Sequence, residues 1–93
     1  MFALIIKDIG YNDEYYYADG VHSVRVFKTR KKAEAAAEKD VLELLKGYEV
    51  GDIVDAYPHI VADLLDKNIS EVWDKVGGPL TRIFSLIKEV EVE

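Results

Sequence analysis

The chain contains no cysteine. That single absence removes disulfides, thiolate metal sites and a cysteine nucleophile, and it fits a reducing compartment. Long apolar runs are also missing. The first such stretch, Phe2 to Ile6, is cut by Lys7 and Asp8, far short of the roughly 20 residues of a membrane span. It also lacks the basic start and longer apolar region of a signal peptide, so a cytoplasmic protein with no membrane partner is expected. Basic charge is scarce too: 12 Lys and Arg stand against 18 Asp and Glu, for a net charge of −6. An acidic surface of this kind disfavours binding to nucleic acid by bulk electrostatics.

What is present suits a packed domain. The 93 residues are 49% hydrophobic and 32% charged, a normal balance for a soluble globule, and residues 1–93 read as one α+β domain. Four of the basic groups, Lys28, Arg30, Lys31 and Lys32, fall within five residues. Three of the six tyrosines, Tyr15, Tyr16 and Tyr17, are consecutive.

Residues 2–9 alternate and are rich in strand formers, so they predict a first strand, central in its sheet. The segment EYYYA-Asp19-Gly20-VHSVRVF carries a two-residue hairpin signal, because the favoured turn needs positive φ at both central positions. That pairing would place Tyr17 opposite His22 and Glu14 opposite Arg25. One face would carry Tyr15, Tyr17, Val24 and Val26, and the other Tyr16, Ser23, Arg25 and Phe27. After Thr29 the period becomes helical: Ala33, Ala37, Val41, Leu44, Leu45 and Tyr48 predict a helix over 30–46, capped by Thr29 and ended by Gly47. Pro58 opens a second helix to about Lys67. Ser70 caps a third, with Gly77-Gly78-Pro79 as its stop, and residues 81–93 return to strand. The expected fold is therefore a small four-stranded, mainly antiparallel sheet, in the order βββαααβ, with helices on one face.

Catalytic and metal motifs do not assemble. Aligning Gly20 with the sixth position of a calcium loop puts Tyr15 first and Val26 twelfth, which leaves only Asp19 as a fitting ligand. His59 and Asp63, with Asp55 before them, make at best half of a zinc site. Ser23, Ser70 and Ser85 lie in no nucleophile context. No catalytic residue, metal or cofactor is assigned, and a non-enzymatic protein is expected.

Two sites remain. Tyr15, Tyr16 and Tyr17 suit a contact with a protein partner or a second copy, since tyrosine is enriched at interfaces; a homodimer by pairing of sheet edges is one form of this. Lys28, Thr29, Arg30, Lys31 and Lys32 suit an anion. Helix N-termini attract negative charge, and here the first helical positions carry the opposite of the usual acids. A further alternative is an acidic inhibitor or immunity-type protein that imitates the charge of nucleic acid.

Overall fold

The computed structural model describes residues 1–53 and 58–91. Asp55 and Tyr57, and Val92 and Glu93 of the expected last strand, lie outside the described residues.

Strand β1 (Phe2–Tyr11) pairs antiparallel with β2 (Tyr16–Phe27). The reversal is made by Asn12–Tyr15, six residues earlier than the Asp19-Gly20 signal suggests. Asn12 Oδ1 accepts the backbone N–H groups of Glu14 at 3.0 Å and Tyr15 at 2.9 Å. This side-chain turn lets Asp13 adopt φ 75°, a conformation that Asp and Asn tolerate better than most residues. Asp19 and Gly20 lie inside β2. The register steps from Ile6↔Ser23 to Lys7↔Val21 and then to Asp8↔Asp19, so His22 and Gly20 are extra residues on β2. Gly20, at φ 68°, supplies the left-handed conformation of a β-bulge. The same dipeptide chemistry serves a hairpin or a bulge. Here the Asn12 turn takes the hairpin, and the expected pairing of Tyr17 with His22 does not form.

The four-stranded expectation is therefore corrected to three strands, in the order β2-β1-β3. Helix α1 (Arg30–Leu45) follows β2, with Thr29 as its N-cap. Gly47, at φ 96°, turns the chain away just beyond its end. Short helices α2 (Val50–Ile53) and α3 (Pro58–Val61) follow, then 3-10 turns at Ala62–Leu64 and Ile69–Glu71. The expected helix to Lys67 thus breaks into shorter pieces, and Leu65 is exposed. Asn68 caps the second 3-10 turn, accepting from the Ser70 backbone N–H and hydroxyl; Ser70 is therefore the donor.

Helix α4 (Trp73–Phe84) runs through Gly77-Gly78-Pro79, where a stop was expected. Proline forfeits one helical hydrogen bond, but glycine before it carries no Cβ to meet the ring. Burial of Val76, Leu80 and Phe84 at four-residue spacing outweighs that loss. Gly77 has its own reason: a Cβ there would lie 2.7 Å from the Trp73 ring. Residues Thr81–Phe84 finish this helix, and strand β3 (Ser85–Glu89) then pairs antiparallel with β1.

Ala37, Val41 and Leu45 of α1 and Val76, Leu80 and Phe84 of α4 meet Leu4 and Ile6 of β1 in one buried cluster. Both long helices therefore cover the same face of the sheet.

Candidate interaction face and basic helix terminus

The alternation of β1 sends Leu4 and Ile6 into the core and Ala3, Ile5 and Lys7 to the opposite side. Register extends this opposite face sideways. Val26, Ala3 and Lys88 form one row, and Val24, Ile5 and Leu86 form the next. No helix covers them among the described residues: Val24 is 57% exposed, Val26 56% and Leu86 50%. Ala3 and Ile5 stand outside the core cluster and are partly shielded by their neighbours in the sheet.

Strand β2 inverts the usual order of an antiparallel sheet, in which apolar residues face inward and polar ones outward. Ser23 and Arg25 are the residues turned toward α1, where Arg25 forms an ion pair with Asp40 and its guanidinium lies 5.3 Å from the centre of the Phe27 ring. The valines between them face away. This patch was missed among the candidate residues. Its sequence signal is the pattern Ser23-Val24-Arg25-Val26 once the helix is known to lie on the Arg25 side.

The three consecutive tyrosines are divided by the strand. Tyr16 packs on the core side, 5.2 Å from the Tyr48 ring and 4.7 Å from Tyr11 between centroids. Tyr17 lies on the other side, over Gly10, and meets Tyr15 edge-on at 6.2 Å. Tyr15 and Tyr17 are both exposed. Of the three, Tyr16 is a packing residue, while Tyr15 and Tyr17 expose their rings.

At the start of α1, Thr29 Oγ1 accepts the Lys32 N–H at 3.2 Å, and the Thr29 carbonyl accepts that of Ala33. The first amides, those of Arg30 and Lys31, have no intrahelical acceptor. The Arg30 guanidinium lies over Phe2, 5.2 Å from the ring centre, which holds it beside the sheet. Among the described residues, no ion pair involves Lys28, Arg30, Lys31 or Lys32; Asp40 pairs with Arg25, and Asp8 lies 3.8 Å from His22 Nδ1. The cluster and the tyrosine tip sit at opposite ends of the hairpin, so the structure does not bring the two sequence-derived sites together.

A cleft of about 510 Å³ opens between β2 and α1 beside Ser23, Arg25, Asp40 and Glu43. Within its lining, Arg25 and Asp40 pair with each other. The Ser70 hydroxyl donates to Asn68 and that of Ser85 to the Thr81 carbonyl. Among the described residues no group of three His, Asp or Glu side chains could hold a metal, and no helix is long and apolar enough to cross a membrane. Comparison of the chain with protein-family models, curated proteins and solved structures finds no match.

Proposed function

We propose that this chain is a non-enzymatic interaction module that binds a protein partner or a second copy through the uncovered face of its sheet. The contact would run from Leu86 across Ile5 and the two valines, and it would extend to Tyr17 and Tyr15 near the hairpin tip. The observation that carries this reading is the inverted β2, with Val24 and Val26 outside while Ser23 and Arg25 face the helix. Isolated exposed apolar residues are ordinary, but a contiguous apolar patch on a small domain marks a contact surface. The tyrosines add rigid amphipathic area at low entropic cost.

The double variant Val24→Lys, Val26→Lys tests it. These side chains already meet water, so the fold should persist by circular dichroism. Self-association in sedimentation, or retention of a protein that wild type captures, should be lost. Identical association and capture by the wild type and the variant would sink the reading.

A second reading is favoured by the absence of ion pairs at the basic cluster among the described residues. It holds that Thr29, Arg30 and Lys31, with Lys28 and Lys32 beside them, receive a small anion such as phosphate at the start of α1.

A further inference from the structure

We infer that the occupant of the uncovered sheet face is an acidic amphipathic helix of about three turns, supplied by a partner protein. This rests on the proposal above that the face is a binding surface, and it specifies what binds there. Size, charge and the fold's own packing each favour it.

Three strands about 4.8 Å apart, each contributing about five residues at 3.3 Å per residue, make a face roughly 14 Å wide and 17 Å long. One α-helix is about 10–12 Å across, and three turns span about 16 Å. The match is one helix to one face.

Charge narrows the choice. The molecule is acidic overall, yet the charged residues that adjoin the two apolar rows on β1 and β3 are lysines, with Asp8 and Asp19 paired in the row beyond Lys7. Lys88 sits beside Ala3 in the outer row, and Lys7 follows Ile5 on β1 toward the bulge. A second copy would set lysines against lysines. An acidic helix meets both cations. The two are about 13 Å apart along the strand direction, four residues of β-structure, which corresponds to about nine residues of helix. Carboxylates flanking an apolar stripe at that spacing would reach both. The covered face supplies the precedent, since α1 and α4 already lie on the same three strands.

The probe is a synthetic 14-residue helix with leucines on one side and glutamates along both flanks. A control peptide replaces every glutamate with lysine. Each is titrated into isotope-labelled full-length protein at low salt, with amide shifts as the readout. The inference expects saturable shifts of Ala3, Ile5, Val24, Val26 and Leu86 by about 1 mM of the acidic peptide, the weak end of specific affinity. They should weaken several-fold in the Lys7→Glu, Lys88→Glu variant and be absent with the control. Equal response to both peptides, no response, or indifference to the variant overturns the acidic helix. Shifts of the same residues on concentrating the protein alone also overturn it, because they would assign the face to a second copy while the interaction-module reading survives.

Discussion

The most informative single contact is the one between Gly10 and Tyr17. A Cβ on Gly10 would lie 2.7 Å from Tyr17 Cζ, 2.9 Å from its Cε2 and 3.0 Å from Asp19 Cβ. Such proximity exists only because β2 passes straight through Asp19-Gly20 and pairs Tyr17 with Gly10. A turn at Asp19-Gly20 would instead place Tyr17 beside His22. Gly10→Ala should therefore displace the tyrosine ring and destabilise the protein by about 1 kcal/mol, the lower range of overpacking costs because a surface ring can swing aside. In the Tyr17→Ala background the same change should cost nearly nothing, and contacting residues are where such non-additivity is expected. Urea unfolding of the four proteins measures the coupling. Additive effects would mean that Gly10 and Tyr17 are not neighbours.

At the level of elements, the sequence was legible where one local signal had one meaning. Helix α1 is the clearest instance: its apolar spacing, Thr29 cap and Gly47 stop all point the same way, and the observed Arg30–Leu45 follows them. Asp19-Gly20 carried two meanings, turn or bulge, and the choice was made elsewhere, by the Asn12 side chain closing the reversal first. Either outcome resets the alternation of side chains, which is why Tyr16, Arg25 and Phe27 were correctly grouped on one face although their strand was misdrawn. Gly77-Gly78-Pro79 failed for a different reason. Breaker residues report only local cost, and the burial of Leu80 and Phe84 beyond them was invisible without the partner layer. The basic start of α1 was legible as an anomaly, and it can be tested as one. Lys31→Glu should raise stability by roughly 0.3–1 kcal/mol by matching the helix dipole, more at low salt. If the second reading holds, the same change abolishes phosphate-dependent amide shifts at Thr29–Lys32. Higher stability with no phosphate response in either protein would leave the cluster without an anion.

For the whole molecule, the decisive property is that a three-stranded sheet has helices on one side and, among the described residues, nothing on the other. A chain of this length commands only about 5–10 kcal/mol of total stability, and its apolar burial is concentrated in the cluster around Leu4, Ile6 and Phe84. The two faces of the sheet should therefore respond to substitution very differently, even through side chains one strand apart. Leu4 is 1% exposed, and Leu4→Ala should cost about 2–5 kcal/mol, transfer free energy plus the cavity left beneath α1 and α4. Val24 flanks Arg25, the β2 partner of Leu4, but projects to the other side. Val24→Thr keeps the β-branched shape and strand preference while removing apolar surface that already meets water, so its cost should stay within about 0.5 kcal/mol. Chemical denaturation of both variants at low protein concentration compares them as monomers. A Val24→Thr loss as large as that of Leu4→Ala would mean that the valine face is covered within the monomer, and the binding surface would have to be sought elsewhere. A small loss leaves a face whose apolar character contributes little to folding, as the proposed contact with a partner requires.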